Sequence, residues 1–200
     1  MLKISTFKIL NLIFLIIITF QYCAKADDLK DLEIEGFSLG VSLLNYFNKE
    51  DIISNTNKTV FKDTDKKFQA FFTDYPKKLK SYDLYDYVRI TYLNNDKFII
   101  HGISGMKDYE KKNMQQCYEL QEKIEIDFDN QFNNFVKEKD IFPSRMDDSG
   151  KSKITGIYYL TENGYAEIAC YDFDENINIK SGIDISIKSN LLKDWLQSLR

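Results

Sequence analysis

The stretch "FFTDYPKKLKSYDLYDY", residues 71–87, interleaves Tyr75, Tyr82, Tyr85 and Tyr87 with Lys77, Lys78 and Lys80. Aromatic faces beside cations stack sugars or bases, or anchor a protein partner. The same pattern also suits a strand edge running into a solvated linker, since exposed tyrosines are ordinary in a tyrosine-rich chain. Tyr75, Lys77, Lys78, Tyr82 and Tyr85 are the candidate binding residues, and the partner they suit is a protein or an envelope component.

Catalytic and metal-binding patterns are weaker. His101 is the only histidine, so any Ser-His-Asp or Cys-His arrangement would have to run through it. It sits in "FIIHGI", alternating with Ile99 and Ile103, as a strand residue on a packed face does. "GKS" at 150–152 resembles a phosphate loop, but the glycine needed five positions earlier is Arg145. "DFDEN" at 172–176 resembles the opening of a calcium loop, yet the turn glycine and closing glutamate positions hold Ile177 and Ile183. Asp172, Asp174 and Glu175 read instead as a solvated hairpin end. The expectation is therefore no catalytic set, no metal and no cofactor. With 31 acids, a carboxylate pair for glycan hydrolysis is a competing reading that no signature localises.

Three cysteines bear on the compartment. Lys3 and Lys8 precede Ile9–Phe20, which is apolar except for Asn11 and Thr19. Spanning a bilayer takes ~20 apolar residues, so this run is too short. Followed by Ala24-Lys25-Ala26, it has the form of a secretory leader cut after Ala26. Cys23 follows the bulky Phe20, Gln21 and Tyr22, a poor context for lipid attachment, and departs with the leader. The leader carries three lysines and no acids, so 27 basic residues become 24 against 31 acidic ones, a net charge of −7. That balance disfavours nucleic acid and anionic membrane surfaces as partners. Cys117 and Cys170 remain. An even count in an exported chain points to one disulfide, with two buried thiols as the alternative. A bridge would close a loop of just over fifty residues, stabilising the fold by ~4 kcal/mol on the chain-entropy model.

The elements that would position these groups follow from periodicity. "SLGVSLLNYFNKEDI" has Ser38 as a cap with Val41, Leu44 and Phe47 at helical spacing, giving a helix over 38–48 that continues to 54. "KFQAFF" suits a strand or a helical turn. "YDYVRITYL" and "KFIIHGI" flank Asn94-Asn95-Asp96 as a hairpin. From Lys107 to Glu138 no proline or glycine occurs, and Met114, Cys117, Ile124, Phe128 and Phe135 form an apolar stripe broken by Gln121 and Gln131, predicting a long helix. "IFPSRMDDSGKSK" is a loop. "ITGIYYL" and "YAEIACYDF" form a hairpin about Asn163-Gly164, with Ala166, Ile168 and Cys170 on one face. "INIKSGIDISIK" alternates isoleucines with polar residues, a half-buried strand over 177–188. "SNLLKDWLQSL" closes as a helix through Leu192, Trp195, Leu196 and Leu199.

These pieces make one α+β domain over residues 27–200: an antiparallel sheet built from meanders and hairpins, with one long helix and shorter terminal helices packed on one face. The functional expectation is a secreted, non-catalytic binding or accessory module of the bacterial envelope, periplasmic or extracellular. A glycan hydrolase and a purely structural envelope protein are the alternatives.

Overall fold

The computed structural model describes residues 29–62, 64–131 and 135–199. The segment expected to be a leader, with Cys23 and the expected cut after Ala26, lies outside the described residues. Ten strands are present: β1 (Glu33–Ile34), β2 (Phe37–Ser38), β3 (Thr56–Asn57), β4 (Phe68–Phe72), β5 (Tyr87–Leu93), β6 (Ile100–Tyr109), β7 (Val136–Pro143), β8 (Lys153–Leu160), β9 (Gly164–Asp172) and β10 (Ser181–Ser189). Three helices accompany them: α1 (Lys49–Asn55), α2 (Met114–Gln131) and α3 (Asn190–Ser198). The α+β class is borne out.

β1 and β2 form a small hairpin; the other eight strands make one antiparallel sheet in the order β3-β4-β5-β6-β10-β9-β8-β7. The chain thus builds a four-strand meander followed by α2, then a second followed by α3, and the two meanders join through their last strands. Ile103, Ile168, Cys170, Ile183, Ile185 and Ile187 point to one face and form a single core with α2 and the N-terminal segment. On the opposite face, Leu192 and Trp195 of α3 pack on Phe68. That close approach needs Gly102, because a Cβ there would lie 2.6 Å from Leu192 Cδ2.

Four boundaries depart from the sequence reading. No α-helix spans 38–48; a single 3-10 turn, Leu43–Asn45, forms there, capped by Ser42 Oγ accepting from Leu44 N–H at 3.2 Å. The chain before it lies beside residues 98–100, with Gly40 N–H donating to Ile100 O and Leu43 N–H to Phe98 O. Glu35 and Gly36, both at positive φ, turn the β1–β2 hairpin ahead of it. The helix starts at Lys49, where the Asn48 side chain accepts from Asp51 N–H at 2.8 Å. "KFQAFF" resolves as β4 through pairing with β5.

The long helix is shorter than predicted at both ends. Residues 107–109 extend β6 and pair with 181–183 of β10, while 136–143 form β7 and pair with β8. Charged residues with good helix propensity were overruled there by strand partners distant in sequence. β10 starts at Ser181, so Ile177 and Ile179 fall in the preceding turn. Asp184 and Ser186, expected to face water, are buried. Gln121, which seemed to interrupt the stripe of α2, is buried too. Its Nε2 donates to Thr155 O at 2.7 Å and Ile168 O at 2.8 Å, seating the helix on the sheet.

Cys117 of α2 and Cys170 of β9 are bonded, with Cα atoms 6.1 Å apart and 53 residues between them in sequence. Helix and sheet are thereby joined covalently where their apolar faces meet.

Candidate functional site

The tyrosine–lysine stretch divides between surface and core. Tyr75 is 69% exposed, and Lys77 and Lys78 are exposed beside it. Lys77 pairs with Asp51 at 3.2 Å, and its carbonyl accepts from Asn55 Nδ2 at 2.8 Å, so the segment is fastened to α1. Tyr82 and Tyr85 turn inward and pack against the main core. Tyr85 lies over Gly105, the place any larger residue of β6 would fill. Burial pushes both phenols up to about 12. Lys80 lies 4.6 Å from the Phe37 ring centroid and 5.4 Å from that of Tyr82. Half of the aromatic-and-cation pattern is therefore spent on closing the core edge.

His101 is also committed. Its Nδ1 lies 2.9 Å from Ser189 Oγ, the hydroxyl that caps α3 by accepting from Leu192 N–H. Its ring meets Phe68 edge-on, and burial holds its pKa below the usual value. Among the described residues, no group of three or more His, Cys, Asp or Glu could hold a metal ion.

A concavity lies elsewhere. α2 is seated on β9 and β10, and the sheet runs beyond it through β8 to the edge strand β7. Between helix and edge opens a cleft of about 630 Å³, within the ~300–1,000 Å³ range of ligand sites. Tyr118, Gln121 and Glu125 form the helix wall, Lys139 and Ile141 the strand wall, and Thr155 and Ile157 the floor. Glu125 carries the electrostatics. It is buried, paired with Lys137, and paired with Lys139 at 2.6 Å. Burial works to raise its pKa, but hydrogen bonds and charge from the two lysines outweigh that and hold it below the ordinary value. Tyr159 O–H donates to Asp129 Oδ1 at 2.8 Å, and Lys137 bonds the same carboxylate. The wall of the cleft is thus a fixed lattice of ionised groups.

β7 itself presents an open edge. It pairs with β8 over eight residues without a register shift, and among the described residues no strand lies on its other side. All its residues but Phe142 are exposed, Ile141 at 67%.

A second polar centre occupies the opposite face of the sheet. Arg89, Ser104, Ser186 and Glu167 are register neighbours across β5, β6, β10 and β9. Lys188 bonds Glu167 and donates to Ser186 Oγ at 2.7 Å. Arg89 Nη2 lies 3.2 Å from Ser104 Oγ and 3.5 Å from Asp184 Oδ2. Asp184 Oδ1 is buried without a hydrogen-bond partner. Burial pushes Asp184 up against the pull of Arg89 and Lys188. Burial also disfavours the Lys188 ammonium, but Glu167 foremost, with Tyr165 and Asp184, outweighs it and keeps the charge. Alternation had marked these positions as solvent-facing. Only strand order reveals that four charges from three strands meet.

The comparisons add nothing to this geometry: no protein-family model, no curated protein and no solved structure matches the chain.

Proposed function

We propose that the chain is an exported, non-catalytic binding module of the bacterial envelope. It takes an extended segment of a protein partner along β7, with the partner's helix-side residues facing the α2–β7 cleft. The observation that carries this reading is the regularly paired, exposed edge strand beside a cleft of about 630 Å³. Such an edge is a template for strand addition, in which backbone hydrogen bonds supply affinity and side-chain pockets supply specificity.

The charge order of β7 argues against a second copy as the occupant. A two-fold antiparallel pair keeps its faces only in registers where paired residues share parity. Centred on Glu138, such a pair opposes Glu138 to itself and Lys137 to Lys139. Centred on Lys139, it opposes Lys139 to itself and Glu138 to Asp140; centred on Asp140, it opposes Asp140 to itself. Centred on Ile141, it opposes no like charges but pairs only 139–143 and sets Pro143, which has no N–H, opposite Lys139. Like charges directly opposed destabilise a sheet. A different strand, with basic residues opposite Glu138 and Asp140 and an acid opposite Lys139, meets the edge without conflict.

The hydrolase alternative required two unpaired acids facing one cleft. Of the acids lining the cleft, Glu125 is held by two lysines, and Glu122 and Asp140 are solvent-exposed on opposite walls, without the buried setting a glycosidase acid uses. On the opposite face Glu167 and Asp184 are paired with Lys188 and Arg89. Export is supported by the leader pattern and by the Cys117–Cys170 bond, which persists in oxidising compartments. No helix among the described residues is long and apolar enough to cross a membrane.

Selection from a displayed library of random octapeptides tests the reading. Enriched peptides should carry a basic–acidic–basic triplet and protect the amides of 136–143 from exchange. Their binding should fall at least ~10-fold with Ile141→Asp or Asp140→Lys, which remove an apolar contact or invert a charge pairing. Failure to enrich, or binding that survives both variants, overturns it. Intact mass of the chain from its native host should begin at Asp27, with Cys117 and Cys170 alkylated only after reduction. A retained leader would overturn export.

A further inference from the structure

The polar centre on the opposite face opens into a small cavity of about 150 Å³, roofed by α3 and residues 60 and 61. A cavity of ~150 Å³ holds a benzene-sized body. Its polar lining includes Arg89, Ser104 and Lys188, and its apolar rim is Val60, Phe61, Leu192 and Leu196.

Donors outnumber acceptors in this space. Arg89 has five N–H donors in a rigid fork, and its contacts run only through Nη2, to Ser104 and at 3.5 Å to Asp184. Among the described residues the rest of the fork makes no side-chain hydrogen bond. Lys188 donates to Glu167 and Ser186 and is hydrogen-bonded to Tyr165, so what it offers the cavity is its charge. Asp184 and Glu167 do not line the cavity; they grip the two cations from outside it. The arrangement positions two cations and offers them no carboxylate acceptor within the cavity.

We infer that this cavity binds a carboxylate carried on a small apolar body. The carboxylate sits on the Arg89 fork beside Lys188, and the apolar part lies between Phe61, Leu192 and Leu196. A planar guanidinium matches a carboxylate with two parallel hydrogen bonds. The paired acids outside the cavity hold the fork in place before the ligand arrives, which lowers the ordering cost of binding. The carboxylate belongs either to a free small acid or to the C-terminus of a polypeptide ending in an apolar residue. This site is separate from the β7 edge, and neither reading depends on the other.

Trp195, the only tryptophan in the chain, supplies the readout, with its ring centroid 5.0 Å from those of both Phe61 and Phe68. Its emission is followed during titration of the whole chain with hexanoate, hexan-1-ol, acetyl-Gly-Leu bearing a free carboxylate, and the same dipeptide as its amide. Hexanoate, the free-acid dipeptide, or both should give a saturable change that the alcohol and the amide do not. Hexanoate alone assigns the site to small acids, and the dipeptide alone to a chain terminus. Arg89→Gln should weaken binding ~10-fold or more, the loss expected for a charged hydrogen-bond pair. Because Arg89→Gln also leaves Asp184 without its cation, Val60→Asp on the exposed rim is the second variant. It should weaken binding by repulsion while the network stays intact. Equal response to acid and alcohol, no saturable response to either acid, or full affinity in both variants overturns the inference.

Discussion

Lys188 shows how much a single strand position can carry. Its ammonium is buried, its stem runs beside the Tyr165 ring with Nζ 5.0 Å from the centroid, and its charge is answered by Glu167. Removing one member of a buried pair leaves the other charged and desolvated, which costs about 3–5 kcal/mol, whereas replacing both by apolar groups is often neutral. Lys188→Met should therefore be among the most damaging single changes in the sheet, and Lys188→Met with Glu167→Leu should recover most of the loss. Urea unfolding of the two single variants and the double variant measures this. Additive losses would mean that the two residues act independently.

At the scale of elements, α2 and β7 are tied by Glu125, Asp129, Lys137 and Lys139, so the cleft between them is held by charge. The Glu125 pKa lies below its ordinary 4.5 in the folded chain, so the unfolded chain binds its proton more readily. Its contribution to stability is complete above the ordinary value and disappears as pH falls through the folded one. Unfolding measured from about pH 7 down to pH 3 should show the unaltered chain losing more stability than Glu125→Gln across that window. Parallel curves would show that Glu125 does not carry the tie. The elements also explain why propensity misled at 107–109 and 136–138: lysine and glutamate favour a helix locally, yet β10 and β8 supply backbone partners the local chain cannot.

For the molecule as a whole, the antiparallel joint between β6 and β10 unites the two meanders. Both strands have a neighbour on each side, a covered isoleucine face, and a second face sealed at one end by α3. Their amides should be the slowest to exchange in the protein, since only global opening frees them. Residues 58–62, 64–66 and 174–180, which carry little regular structure, should exchange first. Exchange followed by mass spectrometry gives the order directly, and protection of β7 in the free chain equal to that of β10 would contradict an open edge.

Local chemistry was enough to read much of this protein. Asn163-Gly164 marked its hairpin through the backbone angles such a turn requires, alternation at Ile183, Ile185 and Ile187 marked a strand, and the facing positions of Cys117 and Cys170 made a bond geometrically possible. These signals depend on residues a few positions apart. Sites assembled across strands left no such trace. Glu125 and Lys139 meet because an edge strand passes beside a helix, and Arg89, Asp184, Glu167 and Lys188 meet because β10 enters between β6 and β9. Tyr82 and Tyr85 carried the chemistry of a binding surface in sequence, and tertiary packing turned them inward over a glycine. Composition and periodicity determined the strands and helices whose pattern is local; distant strand partners decided 107–109 and 136–143, which charges share a low-dielectric space and which tyrosines still reach water.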